Sequence, residues 1–251
     1  MKFDTKRKLF AFNAPNLDSL LILIEITRNT RLSFIIQLST KLVTFYGVDL
    51  INTIFRKHKN EAWFSLDHCD DIGLISRCTN ENGWVSVLYD CSAKPLEENI
   101  RLSRIAKDIC MRNGVLLESE ITPLGINSYS TPEEAERFVN EVDCDLITIS
   151  VGTGHGLQVG TDINLQLIKD VADRINKAIV IHGGSGIDDR ILAKIFQHGA
   201  NKINISTSLK NIYLNTIKKH SKYDFNNLNK VLYEAYYKFI KTKIKAGDET
   251  I

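Results

Sequence analysis

Short apolar runs alternate with longer stretches of helical pattern from one end of the chain to the other. Eight runs, rich in β-branched and aromatic residues, read as buried strands: 9–13, 34–39, 63–68, 84–90, 115–121, 146–152, 179–182 and 202–206. Between them lie seven stretches suited to helices, at 17–28, 42–58, 71–80, 95–112, 132–142, 165–176 and 188–198. Some carry boundary signals. Thr131-Pro132-Glu133-Glu134 offers an N-cap, a first-turn proline and acids facing the helix dipole. Asn113-Gly114 and His198-Gly199 place glycine at helix ends. Two further helical stretches, 209–218 and 225–245, follow the eighth strand.

Buried-type strands joined by helices predict a parallel sheet covered by helices. Eight such units closing on themselves make an α/β fold of the (β/α)8 TIM-barrel type. An open doubly wound sheet usually shows a GxGxxG turn after its first strand. Here that strand leads into Asn13-Ala14-Pro15-Asn16 instead. The expectation is one domain over 1–251, with the barrel at about 8–219 and an added C-terminal helical arm at about 220–251. Tyr233, Tyr236, Tyr237, Phe239 and Ile240 give that arm an apolar side, to be buried on its own barrel or on a second subunit.

Composition removes several function classes. At 251 residues, 43% hydrophobic and 25% charged, the chain is neither disordered nor a stapled mini-domain. A net charge of +2 is too small for a nucleic-acid binder that works by counterion release. From Lys210 onward nine lysines face four acids, which reads as a solvated helix face. The start of the chain is polar and basic, and Glu25 interrupts the greasiest early run, so no signal peptide or membrane span is expected. Five cysteines with no CxxC pair read as reduced thiols. A cytoplasmic protein acting on a small molecule is the expectation.

Candidate chemistry gathers at strand ends, where such barrels keep their active sites. The third strand ends Leu66-Asp67-His68, the sixth leads into Gly152-Thr153-Gly154-His155-Gly156, and the seventh ends His182-Gly183-Gly184-Ser185-Gly186. Spacings of 87 and 27 residues match no local metal motif, so position carries the argument. Three imidazoles on one rim can hold a borderline metal and leave a coordination position open, as catalytic Zn²⁺ requires. Asp67 can serve beside them as a general acid/base only if the chain turns there, because strand alternation sends neighbours to opposite faces. By the same alternation Cys69 faces away. The Gly183-Gly184-Ser185-Gly186 turn and Asn204-Ile205-Ser206-Thr207-Ser208 each offer backbone N–H groups and hydroxyls ahead of a helix, a phosphate cradle.

These motifs, with Gly83–Asp90, Pro95–Asn99 and Lys202–Thr207, occur in the order found in one family. The chain resembles the zinc-dependent class II fructose- and tagatose-bisphosphate aldolases from Phe10 to about Lys245. The resemblance implies Zn²⁺ on His68, His155 and His182, and Asp67 as proton donor and acceptor at the hydroxyl made or lost on C–C cleavage. It implies dihydroxyacetone phosphate on Gly156, Gly183, Gly184, Ser185, Asn204, Ile205, Ser206 and Thr207, and Glu120 near the metal. A monovalent cation (Na⁺ or K⁺) by the phosphate and a homodimer or homotetramer are also implied. Three departures stand out. Residues 123–130 hold no acid where the family carries a mobile acidic loop, Gln158-Val159 replaces Tyr-Lys, and Ser208 replaces an acid. A sugar-phosphate isomerase, epimerase or lyase using the same enediolate, or a non-catalytic phosphosugar-binding subunit, are the alternatives.

Overall fold

A computed structural model describes residues 4–30, 32–154, 156 and 163–248. Eight strands close into one barrel in chain order: β1 (Leu9–Asn13), β2 (Ile35–Ser39), β3 (Trp63–Cys69), β4 (Trp84–Tyr89), β5 (Leu116–Glu120), β6 (Leu146–Thr148), β7 (Ala178–Ile181) and β8 (Ala200–Ile205). Neighbours pair in parallel throughout, and β1 meets β8 from Leu9↔Lys202 to Phe12↔Ile205. The covering helices are α1 (Leu17–Asn29), α2 (Thr40–Tyr46), α3 (Val48–His58), α4 (Ile72–Thr79), α5 (Leu96–Arg112), α6 (Pro132–Val142), α7 (Leu165–Arg174), α8 (Asp189–Gln197), α9 (Thr207–Lys219) and α10 (Phe225–Asp248). This is the (β/α)8 TIM barrel.

Period-two alternation builds the two layers of core. Outward residues such as Phe10, Phe12, Ile36, Leu38, Phe64, Leu66, Leu117, Ile147 and Ile203 join the helices in one large apolar cluster. Inside the barrel, Leu9, Ala11, Ile35 and Trp63 form one small cluster and Leu146, Ala178 and Val180 another. Above these apolar plugs the inward positions turn polar: Gln37, Ser65, Glu118, Thr148 and Lys202, then Asn13, Asp67, Glu120, His182 and Asn204, all buried. The barrel is thus plugged at its N-terminal end and polar at its C-terminal end.

Helix boundaries follow the expected chemistry with one break. Thr131 and Glu134 form a reciprocal capping box on α6. The stretch 42–58 is two helices rather than one, because Gly47 adopts φ 88° and ends α2 before α3 starts. That backbone is open to glycine at little cost. α10 packs on its own barrel. Tyr236 is fully buried, its hydroxyl 2.9 Å from Ser19 Oγ and donating to the Leu209 carbonyl at 3.3 Å. Phe239 meets Phe12 edge-on at 6.2 Å. All five cysteines are buried and unpaired with one another. Among the described residues no helix is long and apolar enough to cross a membrane.

Candidate active site

The C-terminal mouth of the barrel holds a cavity of about 500 Å³. Asn13, Ser39, Asp67, His68, His182 and Asn204 line it, together with Gly156, Gly183, Ser185, Ser206 and Thr207. Gly184 and Ile205 do not line it; Ile205 is fully buried in the outer apolar layer. His155 lies outside the described residues.

Asp67 and His68 are consecutive, yet both reach the cavity. The chain turns at His68, which has φ 46°, and the β3–β4 register shifts between Leu66 and Cys69. A histidine in the left-handed region is uncommon, and such strained residues concentrate at functional sites. Thr40 Oγ1 donates to the His68 carbonyl at 2.6 Å and secures the turn. Cys69 is fully buried away from the cavity and donates to the Asp71 carbonyl; burial chiefly pushes its thiol up to about 11. Asp71 caps the following helix, its side chain accepting from the Leu74 N–H.

Amide donors hold both oxygens of Asp67. Asn13 Nδ2 donates to Oδ2 at 2.6 Å and Gln37 Nε2 to Oδ1 at 3.2 Å. Their own oxygens, Asn13 Oδ1 and Gln37 Oε1, are buried without a partner among the described residues.

His68 and His182 face each other. His68 Nε2 lies 3.0 Å from His182 Nδ1, with the rings nearly perpendicular at 85°. Behind each ring stands a carboxylate. His68 Nδ1 is 2.7 Å from Asp90 Oδ2 and 3.5 Å from Glu120 Oε2, whereas His182 Nε2 is 3.3 Å from Glu118 Oε1. With an N–H directed at each carboxylate, the 3.0 Å contact between His68 Nε2 and His182 Nδ1 is a hydrogen bond when His68 is an imidazolium, and two converging lone pairs when both rings are neutral. A cation between the neutral rings satisfies both lone pairs, so the donor set fits a metal. Asp67, His68 and His182 bring ligand atoms within 4.8 Å of one another, as do His68, Asp90 and Glu120.

The electrostatics follow from this crowd of acids. Burial by itself lowers the His68 pKa, but Asp67, Asp90 and Glu120 outweigh it and bring it to about 10. Burial, helped by Asp90, pushes Glu120 up to about 8. Burial also opposes ionisation of Asp90, yet hydrogen bonds from His68 and Ser92 prevail and hold it at about 2. Burial lowers the His182 pKa.

On the cradle side, Ser185 Oγ accepts from the Ser206 and Ser208 N–H groups at 3.0 and 3.2 Å, tying the β7 loop to the start of α9. Gly184 N–H is spent on the Asn204 carbonyl at 3.0 Å. Along α9, Lys210, Tyr213 and Leu214 follow Thr207 as a cavity wall at helical spacing. Lys210 is the one lysine or arginine among the described lining residues. The segment 123–130 is pinned rather than free-standing: Leu124 N–H donates to Glu120 Oε1, Ser130 N–H to the Ser150 carbonyl, and Tyr129 bridges Val151.

Sequence reasoning singled out Asp67, His68 and His182, which meet at one cavity, and passed over Gln37, Glu118, Lys202 and Lys210. Their signal was available for the strand residues: isolated polar side chains at inward positions of otherwise apolar strands.

Fold and site together define a (β/α)8 barrel protein with a histidine–carboxylate group able to hold a metal ion at the C-terminal end of its strands. The chain belongs to the class-II fructose-bisphosphate aldolase family, whose model matches residues 4–249. Its crystal-structure relatives include the YdjI aldolase from Escherichia coli K12, at 26% identity and a TM-score of 0.84, covering 96% of this chain and 91% of that one. The fructose-bisphosphate aldolase from Campylobacter jejuni shares the fold at 18% identity and a TM-score of 0.78, covering 97% and 90%. Family membership and these neighbours support an aldolase-type lyase.

Proposed function

We propose that this protein is a zinc-dependent class II aldolase that reversibly cleaves a ketose phosphate or bisphosphate to dihydroxyacetone phosphate and an aldehyde. The observation that carries this reading is the pair of imidazoles aimed at one point beside an amide-clamped carboxylate. His68 and His182 would hold the ion with His155 as third ligand, and four-coordinate Zn²⁺ then keeps a position for substrate. Bound there, Zn²⁺ supplies a Lewis acid to a substrate carbonyl oxygen. Asp90 and Glu118 orient the two rings. Asp67, held by Asn13 and Gln37, takes or gives the proton at the hydroxyl formed or lost on C–C bond cleavage or formation. Gly156, Gly183, Ser185, Ser206 and Thr207 bind the phosphate, with Gly184, Asn204 and Ile205 shaping the cradle beneath it. A Na⁺ or K⁺ ion beside the phosphate and a homodimer or homotetramer complete the reading.

A second reading rests on one further observation. Among the described residues, Asp67 is the only carboxylate lining the cavity, and 123–130 supplies none. One acid/base between neighbouring carbons suits a metal-dependent isomerase or epimerase passing through an enediolate.

Metal content of the purified protein, coupled to a retro-aldol screen over ketose phosphates, tests the first reading. It expects about one Zn²⁺ per chain, chelator-sensitive release of dihydroxyacetone phosphate, and loss of both signals in His155→Ala. Metal-loaded protein that fails to exchange the methylene proton of dihydroxyacetone phosphate sinks it. Product NMR that shows isomerised ketose without fragments selects the second reading.

A further inference from the structure

The barrel interior beneath His182 contains an ion pair. Lys202 on β8 is 2% exposed, Glu118 on β5 is fully buried, and Lys202 Nζ binds Glu118 Oε2. Barrel interiors are usually filled by Val, Ile and Leu, and well-packed apolar residues often replace a buried ion pair without loss of stability. Packing alone therefore gives little reason for the pair. Its other end does. Glu118 Oε1 accepts from Thr148 Oγ1 at 2.8 Å and lies 3.3 Å from His182 Nε2. The Asn204 side-chain amide lies 2.7 Å from the same nitrogen, and its Oδ1 is buried without a partner among the described residues; with the amide turned, that oxygen accepts from Nε2–H. Three strands, β5, β6 and β8, thus converge on the one ring nitrogen that faces away from His68.

We infer that Glu118 and Lys202 are positioning residues for His182: Lys202 anchors one carboxylate oxygen so that the other accepts the Nε2–H, which fixes the ring in the tautomer whose Nδ1 lone pair faces His68. The inference rests on the reading of a metal held between these two histidines. It also explains why the two imidazoles have different supports. The Asp90 behind His68 is partly exposed and, among the described residues, has no lysine or arginine in ion-pair contact. Beneath His182 the carboxylate carries its own cation, so the ring is oriented by a pair of zero net charge. A histidine whose rear nitrogen donates to a fixed acceptor cannot rotate or change tautomer without leaving that acceptor unmatched.

Glu118→Gln separates positioning from packing, because it keeps the size of the side chain. Lys202 has only donors, so it takes the one Gln oxygen and turns the Gln NH₂ group toward His182 Nε2. That drives the ring proton to Nδ1, toward His68. Removing the lysine as well, in Glu118→Gln/Lys202→Met, frees the amide to turn its oxygen back to Nε2–H. The readouts are ¹⁵N chemical shifts of the His182 ring in metal-free labelled protein, and Zn²⁺ affinity by chelator competition. The wild type is expected to show the Nε2–H tautomer. Glu118→Gln is expected to show Nδ1–H and about 10- to 100-fold weaker Zn²⁺ binding. The double variant is expected to recover the wild-type tautomer and much of the affinity.

Wild-type ring shifts in Glu118→Gln, with Zn²⁺ affinity within about twofold of wild type, would leave the pair a packing feature and overturn the inference. So would an Nδ1–H tautomer in the wild type, or a double variant no better than the single one. A wild type that shows Nε2–H but binds no Zn²⁺ would instead defeat the metal reading and leave the anchoring in place.

Discussion

Gln37 offers the cleanest perturbation of the proposed acid/base. It contacts Asp67 from behind and does not line the cavity, so truncating it acts on catalysis through the carboxylate. Asp67 is 5% exposed, so water does little to replace a lost donor. Hydrogen bonds to charged groups contribute about 1.5–3 kcal/mol. The Gln37 bond is long at 3.2 Å and belongs at the lower end, whereas the Asn13 bond at 2.6 Å belongs at the upper end. At about 1.4 kcal/mol per tenfold in rate, Gln37→Ala should lower kcat about tenfold and Asn13→Ala about 100-fold. Asn13 also lines the cavity, so its variant should raise KM as well, while Gln37→Ala should leave KM unchanged. Steady-state release of dihydroxyacetone phosphate from the ketose phosphate found by screening measures both. The decisive arm is a double-mutant cycle on Asp67→Asn. If Gln37 works by holding Asp67, its loss costs nothing more once Asp67 has been neutralised. A Gln37→Ala kcat within twofold of wild type, or an equal loss in the Asp67→Asn background, would refute the reasoning.

Three further outcomes follow from local geometry. A Cβ at Gly184 would sit 2.7 Å from Ile203 Cγ2 and 3.0 Å from the Asn204 carbonyl oxygen, so Gly184→Ala should cost about 1–3 kcal/mol in thermal melts and raise the KM for phosphate-bearing substrates; an unchanged melt and KM would mean that the loop absorbs the methyl. Lys210→Met should raise KM for phosphorylated substrates several-fold with little change in kcat, since Lys210 brings the one described ammonium to the cavity wall; equal KM values would assign it to solvent. Asp90 has a folded-state pKa of about 2, below its unfolded value of 3.8, so its contribution, on the order of 2 kcal/mol, is present above about pH 4 and lost as pH falls through 2. Urea unfolding of metal-free protein should therefore show the wild type's advantage over Asp90→Asn shrinking from pH 5 to pH 2.5, and a constant gap would contradict it.

The barrel was legible because its strands are buried on both faces and its helices carry their own caps. Alternation of 2.0 and 3.6 residues then fixes fold class with no knowledge of contacts. His68 and His182 were legible from their place at strand ends, and both line the cavity. Glu118 and Lys202 were harder to read. Each is a single charge within a strand, and only the closure of β5 and β8 into one barrel shows that they meet. Gly47 marks a helix boundary, but the apolar periodicity runs across it and conceals the break. The side on which α10 would pack was also open, because an aromatic stripe fits either a barrel or a second subunit until Tyr236 is seen against Ser19.

The turn at His68 is the feature that alternation could not supply, and it decides whether Asp67 and the metal ligand share a site. A non-glycine residue in the left-handed region costs roughly 1–2 kcal/mol, so something must offset it. Two contacts are placed to do so: Asp90 on the ring at 2.7 Å and Thr40 Oγ1 on the carbonyl at 2.6 Å. Only the second acts on the backbone. Thr40→Val keeps the shape of the side chain and removes that donor, worth about 0.5–1.5 kcal/mol net. If the hydrogen bond holds the turn, its loss shifts His68 toward ordinary strand backbone and separates it from Asp67. Zn²⁺ affinity should then fall up to about tenfold by the same arithmetic, and Thr40→Ser should restore it. If it merely ties α2 to β3, Thr40→Val lowers the melting temperature while affinity stays within twofold of wild type. That second outcome would move the cause of the turn to the register shift between Leu66 and Cys69, where the β3–β4 pairing is interrupted before it resumes at Cys69↔Tyr89.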